Sequence, residues 1–415
     1  MLLNRSRAET ILAREQLDGL IACQPINQYY LSDYWGIFNS AGGYDGAYFS
    51  VLAAGDAPAG LIVPALELRK IETSKQQGRG PWIENIYSYC SPLDEAEKYL
   101  PDGTPQGSNY IGWQPEGEPP LLALEKNWMS IVNTLGSQMS PNAFWAVTRA
   151  LKNAEIEKGR VAVDDYRTAM WLESCGLTAL ECVYAPQLFN EIRQVKTPAE
   201  LAIMQQAAII NENSLLMAAQ GLYEGASWSE IENIYMQRMA EYGGRGVYLL
   251  CGLGELPAGS VRKNEPIMMD ALGKFNHYHG DFGRCVVVGE PSDKQIKRHQ
   301  AICKGWEVAQ EYLKPGISYS ELSATVGRAV RQSGIANFRD PVVHGLGLEH
   351  TDDPKPQGVM PQTIPDQILQ ENMVVNIDFP HTEIGWGSVH MEDTVAITKD
   401  GFKRLSQADF SLRVI

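Results

Sequence analysis

The second half of this 415-residue chain contains the same helix–strand pattern twice. The segments GASWSEI (225–231) and GISYSEL (316–322) each place a serine three residues before a glutamate, the capping box that begins many α-helices. Another glycine follows 18 residues after the first glycine of each segment, at Gly243 and Gly334, where each helix is expected to end. Each copy is preceded by a helical segment and followed by a strand that ends in an aspartate. The duplication predicts two α/β half-repeats packed about a pseudo-twofold axis.

Each half-repeat is expected to contain a β-hairpin with one carboxylate on each strand. In the first, Asp270 ends an apolar strand, and Asp281 lies in the following strand after a turn at GKFN. In the second, Asp378 ends the strand VVNID, and Glu392 lies in SVHMEDTVAI after a turn at EIGWG. Four carboxylates on two facing hairpins would repel one another strongly unless cations neutralised them. The pattern therefore predicts a centre that binds two divalent metal ions.

All seven histidines follow residue 276, and six of them lie in or beside segments that carry carboxylates. His344 begins the glycine-rich segment HGLGLEHTDDP and is expected to add a nitrogen ligand. Because alternate side chains share one face of a strand, His279 is expected on the face of Asp281. His390 is likewise expected on the face of Glu392. Imidazole and carboxylate groups together are usual ligands of divalent first-row metals, so these residues predict one metal site.

The first 190 residues contain no histidine and alternate apolar strands with helical segments. Residues 4–17 are predicted to form an amphipathic helix, and LDGLIAC, AYFSVLAA and AGLIVPA are predicted strands. This alternation indicates an α/β domain over residues 1–190. A second domain is expected over residues 191–415, where a capping box at Thr197 begins a helix that reaches about Gly221.

The composition limits the possible partners. A formal net charge of −15 argues against binding to nucleic acid or to an anionic membrane, because both would repel an acidic protein. No run approaches about 18 apolar residues, so no transmembrane helix is expected. Seven cysteines, an odd number without a C-x-x-C motif, suggest reduced thiols and a cytoplasmic location.

The predicted ligands resemble the motifs of the creatinase, prolidase and aminopeptidase P group, the pita-bread metallopeptidases of family M24. That family carries two aspartates separated by ten residues, a histidine in HGxGLE, a glutamate after an apolar strand, and a second glutamate followed by aspartate. Asp270 and Asp281 keep this spacing. His344 begins HGLGLE, and Glu392 stands in MEDT. Asp378 stands where the family has its first glutamate.

The resemblance covers nearly the whole chain. RAETILAREQLDGLIACQPINQYYLSDYWG is similar to the opening of the creatinase-type N-terminal domain, and EIRQVKTPAELAIMQQA is similar to the helix that begins the catalytic domain. The resemblance implies a two-domain α/β fold, in which a creatinase-like N-terminal domain precedes a pita-bread metal-binding domain with internal pseudo-twofold duplication. It also implies a homodimer, since in such enzymes the N-terminal domain often closes the neighbour's site.

The resemblance further implies a dinuclear centre containing Mn, Fe, Co or Zn. Asp281 and Glu392 would each bridge both ions. Asp270 would bind one ion, and His344 with Asp378 would hold the other. Two such ions polarise a scissile carbonyl and activate water near neutral pH.

Several positions depart from the family pattern. The loop LLCGLGELPAGSVRKNEP and the segment FRDPVV lack the histidines that peptidases of this group carry there. Thr351 stands where their second histidine falls, and His350 lies one place earlier. Asp378 is one methylene shorter than the family glutamate, and His390 stands at a position similar to a family arginine. The metal ligands are therefore kept while the groups that handle protons are not, as expected if the reaction had changed.

Three functions are compatible with these residues. The first is a hydrolase of a C–N bond in an Xaa-Pro dipeptide or a related small amide, with His350 or Glu349 handling protons and His279 as a further candidate. The second is a non-peptidase of the same fold, a creatinase-like amidinohydrolase or a dimethylsulfoniopropionate-lyase-like enzyme. Its base for a small zwitterionic metabolite would be His350, Asp352 or His279. The third is a binding module, which is disfavoured because such proteins tend to lose metal ligands, so the hydrolase is the preferred hypothesis.

Overall fold

The computed structural model describes residues 1–42, 46–90, 98–107, 120–252, 259–355 and 365–415. The chain divides into two compact units, Met1–Ile192 and Arg193–Ile415. The boundary predicted from the sequence lies two residues before this division, and a helix rather than a linker spans it. Among the described helices, none is both long and apolar enough to cross a lipid bilayer.

The first unit is a mixed β-sheet with helices, as the alternating sequence pattern predicts. Its six strands lie in the order β4-β3-β2-β1-β5-β6. In chain order the elements are α1 (Arg5–Glu15), β1 (Gly19–Ala22), α2 (Pro25–Ser32), α3 (Ile37–Ala41), β2 (Phe49–Ala53), β3 (Gly60–Pro64), a 3-10 turn (Ala65–Glu67), α4 (Leu68–Gln76), β4 (Asn85–Tyr89), α5 (Ala123–Gly136), α6 (Ala143–Asn153), β5 (Gly159–Val163), α7 (Arg167–Ser174), β6 (Leu180–Tyr184) and α8 (Pro186–Gln194).

The helix and the three strands predicted near the start of the chain are confirmed. Helix α1 begins after Asn4, whose side chain accepts a hydrogen bond from the backbone N–H of Arg7 and so caps the first turn. Strands β1, β2 and β3 are buried along their whole length. Continuous burial explains why their sequences are apolar, apart from Ser50, instead of alternating.

The second unit contains a larger sheet, which carries the predicted site residues. Its main path is β10-β11-β14-β9-β8-β7, with β15 beside β14 and β16 beside β9, while β12 and β13 form a separate two-stranded sheet. In chain order the elements are α9 (Pro198–Gln220), α10 (Trp228–Glu241), β7 (Arg245–Gly252), β8 (Pro266–Phe275), β9 (Tyr278–Val287), α11 (Asp293–Tyr312), α12 (Tyr319–Gln332), β10 (Val342–Gly345), β11 (Val374–Asp378), β12 (His381–Glu383), β13 (Gly387–Val389), β14 (Glu392–Ile397), β15 (Phe402–Arg404) and β16 (Arg413–Val414).

The predicted duplication is confirmed. One half contains α9, α10, β7, β8 and β9, and the other contains α11, α12, β10, β11 and β14. The halves join where β9 pairs antiparallel with β14 at the centre of the sheet. Corresponding positions of α10 and α12 are buried, Ile231, Tyr235 and Met239 in the first and Leu322, Val326 and Val330 in the second. Each half therefore packs its second helix through the same apolar stripe.

The predicted helix starts also hold. Thr197 accepts a hydrogen bond from the backbone N–H of Glu200, and the Glu200 side chain accepts one from the backbone of Thr197, which completes the capping box of α9. Ser227 caps α10 and Ser318 caps α12 in the same way, each accepting from the backbone N–H three residues later. These bonds satisfy N–H groups that have no partner within the helix.

Two details of the predicted hairpins were wrong. Strand β8 does not end at Asp270 but continues to Phe275, and the turn consists of Asn276 and His277, so that only the last residue of GKFN takes part in it. Both turn residues have positive φ, 46° and 71°, the conformation of a tight two-residue hairpin, and asparagine tolerates it well. In the second hairpin the turn at EIGWG is present, but it joins the separate strands β12 and β13, and β14 begins only at Glu392.

The face of the sheet opposite the predicted ligands carries a buried ion pair. Arg284 Nη2 lies 3.0 Å from Asp393 Oδ2, and the two side chains are 1% and 0% exposed. Arg284 also donates to the backbone carbonyls of Gly283 and Glu392, so this guanidinium ties β9 to β14. The pair thus stabilises the strand contact on which the duplication depends.

We expect Asp393→Asn to lower the free energy of unfolding by about 3–5 kcal/mol, because it leaves Arg284 buried without its counter-ion. Glu307→Gln is the matched control, since its partner Lys304 and Glu307 itself are largely exposed. That change should cost less than about 1 kcal/mol. Urea unfolding of both variants measures the difference, and equal midpoints would show that the buried pair is not structurally important.

Candidate metal centre

Three of the predicted ligands lie in one row across four adjacent strands. Asp270 on β8 pairs with Gly283 on β9, Gly283 pairs with Glu392 on β14, and Glu392 pairs with Asp378 on β11. Directly paired residues point to the same face of a sheet. The sheet register alone therefore brings these carboxylates together, although they lie far apart in the sequence.

The other two ligands belong to the neighbouring row on the same face. Asp281 precedes Gly283 by two residues on β9. His344 on β10 pairs with Asn376, which precedes Asp378 by two residues on β11. Because alternate residues of a strand share a face, both side chains point toward the row of carboxylates. All five residues predicted as ligands thus meet on one side of the sheet.

The side chains form two groups that could each hold a metal ion. Asp281, His344 and His350 offer ligand atoms within 4.8 Å of one another. Asp270, His390 and Glu392 do the same. Asp378 belongs to neither group, but its Oδ1 lies 3.2 Å from His390 Nδ1. His390 and His350 therefore accompany the expected five residues in the centre.

Several buried oxygens of the centre have no hydrogen-bond partner. They are Asp270 Oδ1, Asp281 Oδ1, Asp378 Oδ1 and Glu392 Oε2, and both ring nitrogens of His390 are unpartnered as well. Buried polar atoms are normally paired, and unpaired carboxylate oxygens and imidazole nitrogens on one face of the sheet are what a cation site would satisfy. Carboxylate oxygens and imidazole nitrogens are the right donors for a divalent first-row metal, so the residues present fit such an ion.

Electrostatics support the same conclusion. Burial, and then the charge of Asp281, raise the pKa of Asp270 to about 7. Burial and the neighbouring carboxylates also raise the pKa values of Asp378 and Glu392 well above their usual range. Burial would raise the pKa of Asp281 too, but the hydrogen bond from His350 and the charges of His350 and His344 together outweigh it and lower that pKa. Full ionisation of these carboxylates is therefore costly without cations.

Two polar residues that the sequence analysis did not single out orient the ligands. Asn376 is fully buried, and its Nδ2 donates to Glu392 Oε1 over 2.9 Å. Thr394 Oγ1 donates to the backbone carbonyl of Asp281, also over 2.9 Å. Asn376 lies two residues before Asp378 in VVNID, so the alternation of the strand could have revealed it. Such partners fix the position of a ligand and tune its charge.

The glycine-rich segment HGLGLEHTDDP is folded around its own aspartates. The backbone N–H of Gly345 donates to Asp353 Oδ2 over 2.6 Å, and a Cβ on Gly345 or Gly347 would collide with a carboxylate of Asp353 or Asp352. Asp352 is also held by Arg193 and Lys196 at 2.6 and 3.0 Å. Burial would raise the pKa of Asp352, but these two cations lower it. Asp352 is therefore a structural anion and a poor candidate for the base.

Of the three candidates for proton transfer, only His350 lies in the centre. Its Nε2 is 3.0 Å from Asp281 Oδ2, and its side chain is 43% exposed. Glu349 is paired with Arg193 at 2.7 Å. His279 is buried, its Nδ1 faces the carbonyl of Gly347, and burial lowers its pKa to about 4. Glu349 and His279 are therefore held by Arg193 and by the Gly347 carbonyl, and neither belongs to the two ligand groups.

A cavity of about 570 Å³ within the second unit opens onto this centre. Asp270, His344 and His350 are among the residues that line it, and Glu349 and His279 are not. The cavity is large enough for a small molecule such as a dipeptide. Of the loop expected to carry a family histidine, residues 253–258 lie outside the described part of the chain.

Comparisons with known proteins agree with this geometry. Residues 202–399 match the family model of Metallopeptidase family M24. An Xaa-Pro dipeptidase of Pyrococcus furiosus is 27% identical over 236 residues, which cover 54% of this chain and 66% of the relative. An Xaa-Pro dipeptidase of Lactobacillus helveticus is 30% identical over 158 residues, which cover 38% of this chain and 41% of the relative. Residues 202–399 of the second unit are therefore similar to the M24 metallopeptidases, and both of these relatives are Xaa-Pro dipeptidases.

Solved structures show the same fold over the whole chain. An Xaa-Pro dipeptidase from Bacillus anthracis has a TM-score of 0.70 at 16% sequence identity, covering 99% of both chains. A prolidase from Pyrococcus furiosus has a TM-score of 0.66 at 19% identity, covering 97% of this chain and 99% of its own. The two-domain α/β architecture with a pita-bread domain, which the sequence predicts, is confirmed.

We expect Asp270→Asn to stabilise the metal-free protein at pH 8 by on the order of 1–3 kcal/mol, because one pKa unit corresponds to about 1.4 kcal/mol. The sign follows from the direction of the shift. A carboxyl whose pKa is raised to about 7 by burial loses stability as the pH rises from its ordinary value toward 7, because over that range it ionises only in the unfolded chain, and the loss is complete at pH 8. Asparagine does not ionise and avoids this loss.

The same variant should bind divalent metal more weakly, since it loses a ligand. Asp400→Asn, at an exposed position, should change neither property. Thermal unfolding in a chelator and after metal loading compares the three proteins. A destabilised metal-free Asp270→Asn would mean that the carboxylate is satisfied without a cation.

Proposed function

We propose that the protein is a metal-dependent hydrolase that cleaves a C–N bond in an Xaa-Pro dipeptide or a related small amide. The observation that carries this proposal is the convergence of Asp270, Asp281, His344, Asp378 and Glu392 on one face of the sheet, with buried oxygens that lack partners. The relatives named as Xaa-Pro dipeptidases support the choice of substrate, although the first of them is matched over 66% of its length.

In this proposal the centre holds two divalent ions. Asp281 belongs to the first group of ligands and would hold one ion, and Glu392 belongs to the second group and would hold the other. Asp270 would complete one position, and His344 with Asp378 would contribute to the other. The ion is proposed to be Mn, Fe, Co or Zn, and the homodimeric assembly and cytoplasmic location stay predictions.

The bound ions would supply Lewis-acid activation of the substrate carbonyl and of water. The protein's own contribution is to fix the ligands through Asn376 and Thr394 and to place His350 at the mouth of the cavity. His350 is buried enough to be positioned by Asp281 and exposed enough to reach a substrate. It would therefore transfer the proton to the leaving amine.

The non-peptidase alternative, a creatinase-like or lyase-like enzyme acting on a small zwitterionic metabolite, is less well supported. The relatives and solved structures reported above carry prolidase and dipeptidase names. Asp352, one base considered for that chemistry, is occupied by Arg193 and Lys196. The peptidase assignment consequently leads, and the assay below distinguishes the two.

The purified protein should contain two divalent ions per chain and cleave a panel of Xaa-Pro dipeptides after loading with Mn, Co, Zn or Fe. Asp281→Asn should lose bound metal and lower kcat by at least about 10³-fold, because it removes a ligand from the centre. Asp400→Asn is the control and should match the wild type. Metal without cleavage of any dipeptide would favour the non-peptidase alternative, and no metal under any loading condition would overturn the centre itself.

His350→Gln tests the role of the proton-transfer candidate. We expect kcat to fall by about 10²–10⁴-fold, the usual contribution of a general acid or base, with the metal content unchanged. His299→Gln is the control, because His299 is buried against the carbonyl of Phe410 away from the carboxylates. Loss of one ion from His350→Gln would instead show that His350 is a metal ligand.

A further inference from the structure

The imidazole of His390 fills a gap that Gly283 leaves in the row of carboxylates. Gly283 lies between Asp270 and Glu392 in the register of the sheet, and a Cβ on Gly283 would collide with His390 Nε2. A side chain at this position would therefore exclude the ring. The glycine is required by the close approach of His390 to the backbone of β9.

The surroundings of His390 are unusual for a structural histidine. It is 0% exposed, yet neither ring nitrogen makes a hydrogen bond. Its Nδ1 lies 3.2 Å from Asp378 Oδ1, and its Nε2 lies 3.4 Å from Glu392 Oε2. Buried histidines that serve packing normally pair at least one nitrogen. His381, in the same region of the chain, follows this rule, because its Nε2 lies 3.1 Å from Glu383 Oε1.

The two nitrogens of His390 therefore face different partners. Nδ1 faces the carboxylate of Asp378, the last residue of β11, whose side chain is one methylene shorter than that of glutamate. Nε2 faces Glu392, and His390, Glu392 and Asp270 offer ligand atoms within 4.8 Å of one another. A carboxylate on one nitrogen and a metal on the other is the usual arrangement of a metal-bound histidine.

We propose that His390 is a sixth ligand of the centre, binding through Nε2 the ion that Asp270 and Glu392 hold, while Asp378 Oδ1 orients its ring through Nδ1. This inference rests on the proposed metal centre and adds a nitrogen donor to it. Together with His344 it gives both positions an imidazole, which favours Zn or Fe over Mn. Asp378 keeps its second oxygen for the ions.

The test follows the histidine rings directly. Wild-type protein with ¹⁵N-labelled histidine is stripped of metal and titrated with Zn(II), and the ring resonances are followed by NMR. We expect the Nε2 resonance of His390 to shift on binding, together with a resonance of His344, while the ring of His381 stays unchanged. An unchanged His390 ring at full metal occupancy would overturn the proposal.

Variants give a second readout. In Co(II)-loaded His390→Gln, the number of hyperfine-shifted imidazole N–H signals should fall by one, and the Kd of one ion should rise by at least about tenfold. His381→Gln is the matched control, a buried histidine whose partner is Glu383, and it should retain every signal and both affinities. Equal signal counts in the two variants would make His390 a packing residue. Should His390→Gln fail to fold, the wild-type titration decides alone.

The outcomes also separate this inference from the proposed function. If the wild type binds two ions and cleaves dipeptides while the His390 ring is unaffected, only the sixth ligand is wrong. If the wild type binds no ion under any loading condition, the metal centre and the sixth ligand are both wrong. A shift of the His390 Nε2 resonance without dipeptide cleavage would instead support the sixth ligand and contradict the peptidase function.

Discussion

The pairing of β9 with β14 is the contact on which the rest of the second unit depends. Gly283 and Glu392 face each other there, and this one register aligns Asp270, Glu392 and Asp378 across strands from both half-repeats. A slip of one residue would turn every carboxylate of the slipped strand to the opposite face. The candidate metal centre is thus a product of the duplication, because neither half-repeat alone brings these carboxylates together.

The two faces of these central strands have opposite electrostatic roles. On one face each of the four carboxylates has a buried oxygen without a hydrogen-bond partner, and the carboxylates repel one another, a state that a metal ion would relieve. On the other face Arg284 pairs with Asp393 and bonds to the backbone carbonyls of Gly283 and Glu392. The contacts of Arg284 hold β9 and β14 in the register that brings the carboxylates together on the other face. Stability and metal binding are therefore built from alternate residues of the same two strands.

Much of this arrangement could be predicted from the sequence, because it follows from periodicity and repetition. The period of two residues led to the expectation that His279 shares a face with Asp281 and His390 with Glu392, and the matched capping boxes revealed the duplication. What could not be predicted depends on contacts between distant segments. The turn consists of Asn276 and His277 because β8 and β9 pair as far as Phe275 and Tyr278, and the local sequence does not show how far this pairing extends. The pairing of Glu349 with Arg193 likewise joins residues more than 150 positions apart. No local pattern therefore reveals that Glu349, a candidate for proton transfer, is bound to an arginine.

Gly283, Asp378 and His390 are best understood as one coupled set. A residue larger than glycine at 283 would remove the space for the imidazole. A longer acid at 378 would extend toward His390 Nδ1, which already lies 3.2 Å from the aspartate oxygen. The short acid therefore leaves room for the ring, and the ring occupies the space between the short acid and Glu392. The short acid at 378 and the imidazole at 390 are therefore coupled to each other through the space that Gly283 leaves beside Asp270.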